Sequence, residues 1–94
     1  MLEEKPIKME KVGKKNIDCE VLRLAIIAEL DAVNLYEQLA ATTENETIRE
    51  VLLDVAKEEK THVGEFQTLL LRMDPEQVKE LEHGKEEVEE ELGL

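Results

Sequence analysis

The sequence predicts an all-α protein: an antiparallel two-helix hairpin with a short C-terminal helix, completed to a four-helix bundle by dimerisation. Three observations carry this. Apolar residues recur at helical spacing through two long stretches, and no period-two alternation or hairpin signal occurs anywhere. The apolar content is aliphatic, with one Tyr, one Phe and no Trp, which suits helices packed on helices. The two prolines, Pro6 and Pro75, lie outside the strongest helical patterns.

Taken in order, residues 1–17 have no apolar period, include Pro6 and Gly13, and are rich in lysine. They read as a flexible arm ahead of a domain spanning 18–94. Asp18 is the expected N-cap of the first helix, with Glu20 in the favourable first turn, and Cys19 starts that helix without a chemical role. The helix runs from 19 to 42, ended by the polar run Thr42-Thr43-Glu44-Asn45. Asn45 caps a second helix over 46–72. Asp74-Pro75-Glu76-Gln77 starts a third, with Asp74 as cap, Pro75 at the first helical position and Gln77 able to complete a capping box. Gly84 is its expected stop, giving 75–83, and residues 85–92 can form one more acidic helical piece.

The first two helices carry more apolar surface than one partner can cover. Besides its main stripe, the first adds Val21, Leu24, Ile27, Leu30, Leu35 and Leu39, and the second adds Leu53, Leu69, Leu71 and Met73. A hairpin cannot bury both sets, so an obligate oligomer is expected, with a second copy as the natural partner. At 94 residues the chain is one small domain, near the lower edge of what a single core stabilises.

Net charge is −12, which repels nucleic acid. Residues 1–15 hold five lysines against three glutamates, whereas 76–94 hold eight glutamates against two lysines. The acidic tail reads as a solvated helix or a frayed end. One cysteine excludes an internal disulfide and any multi-cysteine zinc or iron–sulfur site. No signal-peptide core or membrane-length apolar run is present, so a cytoplasmic protein without membrane contact is expected.

Two glutamates occupy positions suited to leucine. Glu29 lies in the stripe Leu22, Ala25, Ile26, Val33, Tyr36, Ala40, and Glu59 in the stripe Leu52, Val55, Ala56, Val63, Phe66, Leu70. At 100° per residue each falls about 20° from its stripe centre, whereas Glu58 points about 100° away from Glu59 into solvent. A carboxylate facing a helix interface costs several kcal/mol unless neutralised. His62 follows Glu59 by one turn, so both can share a metal ion.

Di-iron bundles use a Glu from each of two helices and Glu-x-x-His from each of the other two. This chain supplies half that set, and dimerisation supplies the rest. The spacing alone is weak: 20 of 94 residues are Glu, so about one histidine in five would have a Glu three positions back by chance. Glu80 and His83 repeat the pattern at the end of a charged helix, where a solvated helix end is the better reading. The apolar-face position and the matching partner in Glu29 separate Glu59–His62 from that decoy. A buried Glu–His or Glu–Lys pair bridging a dimer is the structural alternative.

Four carboxylates and two imidazoles per dimer suit iron or manganese better than a closed zinc site, although zinc, cobalt or calcium could occupy it. Paired Fe²⁺ ions there would reduce O₂ or peroxide. Tyr36, two turns from Glu29 on the same face, is either a core residue or a group that positions a ligand or passes an electron.

The segments Leu22-Arg-Leu-Ala-Ile-Ile-Ala-Glu-Leu-Asp-Ala-Val-Asn-Leu-Tyr-Glu-Gln38 and Leu52-Leu-Asp-Val-Ala-Lys-Glu-Glu-Lys-Thr-His-Val-Gly-Glu-Phe66 resemble the encapsulated ferritin family, housed inside encapsulin nanocompartments. The resemblance extends through Asp74-Pro75-Glu76, covers about two-thirds of the chain, and is greatest to the form fused ahead of the encapsulin shell protein. It implies a ferritin-like fold, two-helix subunits whose dimers share a di-iron ferroxidase centre, and a decameric ring. The family's ligands fall on Glu29, Glu59 and His62, and its site-adjacent tyrosine on Tyr36. Of an acidic metal-uptake site, Asp31 matches one carboxylate, but Ala28 stands where some members have another. The C-terminal Glu91-Leu92-Gly93-Leu94 matches a cargo-loading peptide poorly, so either the natural chain continues into a shell protein or loading differs.

The expected function is therefore a ferroxidase acting on Fe²⁺ for iron storage within an encapsulin compartment, since a hairpin of this size cannot wall a storage cavity itself. The rival is a non-catalytic helical oligomerisation module with a buried Glu/His polar network. A rubrerythrin-like peroxidase is a further alternative, though the chain has no rubredoxin-type cysteine set.

Overall fold

The computed structural model describes residues 14–94, with Lys14 and Lys15 described by backbone alone. It contains three helices, α1 (Lys14–Thr42), α2 (Glu46–Met73) and α3 (Pro75–Leu92), and no strand among the described residues. No helix of these residues is long and apolar enough to cross a membrane. The arm expected over 1–17 lies outside the described residues up to position 13.

α1 begins earlier than expected. Asp18 sits inside it as an exposed residue and does not cap it, and Cys19 is buried in the core at 6% exposure. Lysines are good helix formers, and Ile17, Val21 and Leu24 extend one apolar row upstream, so the helix continues past the polar signal at Asp18. α1 and α2, 29 and 28 residues long, are each about 42–44 Å in length. The turn between them is the expected one: Asn45 accepts a hydrogen bond from the Ile48 N–H at 3.1 Å and caps α2.

Arg49 locks that turn. Its Nε donates to the Ala40 carbonyl at 3.1 Å and its other nitrogens reach the Thr43 carbonyl and the Glu46 carboxylate. Ala40 lies in the last turn of α1 and Thr43 directly follows it, where few intrahelical donors are left for the carbonyls. Arg49→Ala is expected to destabilise the fold by about 1–2 kcal/mol in thermal or denaturant unfolding, and Arg49→Lys to recover little, because an ammonium cannot span the same three acceptors.

The two sequence stripes meet in the hairpin. Val33, Ala40, Ala56 and Leu70 are buried, and the remaining stripe members, Tyr36 and Phe66 among them, are half-buried. The second apolar set is only partly covered by the hairpin. Leu24 and Leu71 are half-buried, but Val21, Ile27, Leu30, Leu35, Leu39, Leu53, Leu69 and Met73 are exposed.

Asp74 makes the corner from α2 into α3. Its carboxylate accepts from the Gln77 N–H at 3.0 Å and from Arg23 of α1 at 2.6 Å, so one side chain caps α3 and pins it to the hairpin. The capping box does not close, because the Asp74 N–H bonds back to the Leu70 carbonyl at 2.9 Å. The Gln77 N–H, more than the Arg23 guanidinium, holds the Asp74 carboxyl below its ordinary value of 3.8. A depressed folded-state pKa gives stability that is present above the ordinary value and lost as pH falls through the lower one. Between about pH 5 and 2, α3 should therefore lose amide protection ahead of the hairpin, and Asp74→Asn should remove this pH-dependent step.

Gly84 does not end α3. The helix continues to Leu92 and stops at Gly93, whose φ of 68° is left-handed and whose successor Leu94 donates to the Glu89 carbonyl at 2.8 Å. This is a Schellman-type end. Lys85, Glu86 and Glu87 are strong helix formers, and His83 pairs with Glu80 and Glu87 at 3.4 and 3.2 Å, together offsetting a glycine cost of about 1 kcal/mol. Beyond its first turns α3 stands away from the hairpin, giving overall extents of 47 × 42 × 22 Å.

Candidate metal centre

The antiparallel pairing of α1 and α2 brings the two misplaced glutamates to one spot. Glu29, Glu59 and His62 each present a ligand atom within 4.8 Å of one another. His62 Nδ1 lies 3.3 Å from Glu29 Oε2 and 3.4 Å from Glu59 Oε2. Glu29 and Glu59 side chains are 19% and 18% exposed, while His62 remains 42% exposed. The site opens on the surface and is not sealed in the hairpin core.

These distances are long for hydrogen bonds, and one ring nitrogen carries at most one proton to share between two carboxylates. Two partly covered carboxylates are thus poorly satisfied by the histidine alone, whereas a divalent cation would satisfy all three groups. The donor set is two hard oxygens and one imidazole nitrogen, which fits iron or manganese and has no thiolate. Nearby, Lys60 of α2 pairs with Glu37 of α1 at 3.3 Å, an exposed contact that contributes little to stability.

Tyr36 follows Glu29 on the same face of α1 and is half-buried, about 10 Å farther along the axis. Asp31 is half-buried with one carboxylate oxygen covered, but at 200° from Glu29 it faces another side of α1 and is not in the cluster. Ala28 is exposed. The decoy behaves as a decoy: Glu80, His83 and Glu87 are all exposed, and the ring nitrogens of His83 face opposite partners instead of converging. Sequence reasoning missed Arg23 and Arg49, whose roles depend on carbonyls and carboxylates brought close only by the fold.

The rubrerythrin family model matches residues 20–92. The chain is 67% identical over 75 residues to a ferritin-like–encapsulin shell fusion protein of Pyrococcus furiosus, covering 80% of this chain and 22% of that protein. It is 43% identical over 81 residues to the encapsulin nanocompartment cargo protein EncC of Myxococcus xanthus, covering 83% and 60%. The chain thus spans less than two-thirds of the length of either relative. A crystal structure of the encapsulated ferritin domain from Pyrococcus furiosus matches with a TM-score of 0.79 and 56% identity, over 100% of this chain and 90% of that one.

Proposed function

The chain belongs to the rubrerythrin family, among its encapsulated ferritins, and from that membership and the Glu29–Glu59–His62 cluster we propose a ferroxidase whose substrate is Fe²⁺. The observation that carries the proposal is the convergence, within 4.8 Å, of two glutamates and a histidine from two helices. Two facing copies would contribute four carboxylates and two imidazoles to one centre, the complement expected of a di-iron carboxylate site. The partial exposure of His62 and the exposed apolar residues of both helices support a site completed by a second chain.

Bound as a pair, ferrous ions supply two electrons to dioxygen or peroxide and become ferric. The chain's own residues prepare that exchange. Glu29 and Glu59 bind and neutralise incoming cations, and their hard oxygens favour the ferric state. His62 offers Nδ1, the ring nitrogen that faces both carboxylates, as the third ligand. Tyr36 and the surrounding aliphatic stripe limit water on one side, and the second chain would cover the other. Residence inside an encapsulin compartment extends the reading on the strength of the relatives' own descriptions, and the decameric ring, storage of ferric product and a cytoplasmic location extend it further on the family resemblance alone.

A non-catalytic oligomerisation module is the competing account, favoured by the position of His62 between the two carboxylates. Metal content of the purified protein and its melting temperature with and without Fe²⁺ separate the two. At a hundredfold excess over Kd, bound iron adds about 2.7 kcal/mol. A melt indifferent to Fe²⁺, together with no retained metal, would leave only the structural role.

A further inference from the structure

Where α3 leaves the hairpin, the three helices frame an open wedge of about 300 Å³. That is the lower end of the size of ligand sites, about 300–1,000 Å³. Its walls are aliphatic. Leu70 of α2 is buried, Ile26 of α1 and Leu71 of α2 are half-buried, and Leu81 of α3 closes the outer side at 47% exposure. Water is a poor occupant of such walls, because an ordered water needs about two to four polar partners.

The polar groups gather at the apex, the corner where Asp74 joins α2 to α3. Arg23 of α1 and Gln77 of α3 both line the wedge, and both bond the same carboxylate. Asp74 accepts from Arg23 Nη2 at 2.6 Å and from the Gln77 N–H at 3.0 Å. That shared anchor fixes the two residues side by side. The guanidinium keeps further N–H groups to donate, and the Gln77 side-chain amide bonds nothing among the described residues. Gln67, also a lining residue, stands at the open mouth, about 6 Å back along α2 from Leu71.

Charge selects the head group. Arg23 is the one charged residue lining the wedge, and Asp74 already balances it. A carboxylate head would face the Asp74 carboxylate, and an ammonium head would face the guanidinium and could accept nothing from it. An uncharged carbonyl oxygen has two lone pairs and accepts from both Arg23 and Gln77.

We propose that this wedge binds a small aliphatic molecule with an uncharged carbonyl head, such as an amide or ester. The carbonyl oxygen accepts from Arg23 and Gln77, and the chain lies on Ile26, Leu70 and Leu81. The site is separate from the Glu29–Glu59–His62 cluster and stands whether or not that cluster binds iron.

The test uses the full chain in its assembled state, with isoleucine and leucine methyl groups labelled for NMR. Octanamide, octanoate and octylamine present chains of equal length on three different heads. Octanamide should shift the methyls of Ile26, Leu70 and Leu81 saturably, and bind at least about threefold tighter than either charged analogue. Gln77→Leu keeps the backbone N–H that Asp74 caps but removes the amide. It should weaken octanamide about three- to tenfold and narrow its margin over the charged analogues. Tighter binding of octanoate would overturn the uncharged head and assign the wedge to a carboxylate. Equal binding of all three, with shifts spread over exposed leucines such as Leu53 and Leu69, would reduce the site to unselective apolar adsorption. Shifts absent from the assembly and appearing only after dissociation by dilution would refute the proposal and show that a second copy covers the wedge.

Discussion

Replacing Glu59 or His62 by alanine is expected to lower rapid O₂-dependent Fe²⁺ oxidation by at least about 100-fold, since even outer partners of metal ligands cost 10–100-fold when removed. Both belong to α2, one turn apart, and with Glu29 of α1 they form the convergent cluster of the described residues. Losing either leaves each chain two ligands. The same variants should no longer gain stability from Fe²⁺, whereas the parent protein should. In the absence of metal the sign reverses for Glu59→Ala. It removes a mostly covered carboxylate, 18% exposed, from an apolar stripe, so the metal-free variant should melt no lower than the parent. That pairing of lost activity with retained fold distinguishes a ligand from a structural residue. Unchanged oxidation rates in both variants would refute the ferroxidase reading outright. Glu80→Ala, at the exposed decoy, should leave oxidation untouched.

The hairpin was legible because its signals are local and agree with one another. The apolar stripes, the Asn45 cap and the Asp74-Pro75 start all point to the same three helices. The boundaries that shifted did so where one polar or glycine signal met strong neighbours. Asp18 could cap a helix, but the Lys14-Lys15-Asn16-Ile17 stretch continues it. Gly84 could end one, but the charged run behind it extends α3 to a glycine at position 93 that has the left-handed backbone. Each contest is decided by about 1 kcal/mol, below what a single-residue signal resolves.

The cluster was legible for a different reason. Helical angle alone places Glu29 and Glu59 on the buried faces, and a short connection makes those faces meet. That His62 touches both carboxylates follows from interhelical register, which the sequence does not print. The contributions of Arg23, Arg49 and Cys19 depend on that register too, because their partners or cover are distant in sequence or belong to another helix.

Leu30→Lys should dissociate the assembly and abolish iron oxidation while leaving the hairpin helical. Leu30 adjoins Glu29 and is 51% exposed in the single chain, as are Val21, Ile27, Leu35 and Leu39 to comparable degrees. Burying a large aliphatic side chain fully contributes about 1.5–3 kcal/mol, so completing the burial of half-covered ones contributes about 1 kcal/mol each. A two-fold interface counts every residue twice, so such residues together supply about 10 kcal/mol against an association cost of about 4–15 kcal/mol. The margin is narrow enough for one buried charge per chain, felt twice, to reverse it. Sedimentation should show smaller particles, circular dichroism should show α1 and α2 retained, and oxidation per chain should fall with the assembled fraction. In the parent protein, dilution should reproduce the loss without any substitution. Full oxidation by isolated Leu30→Lys chains would mean that one hairpin carries the chemistry alone, and the shared centre would have to be abandoned.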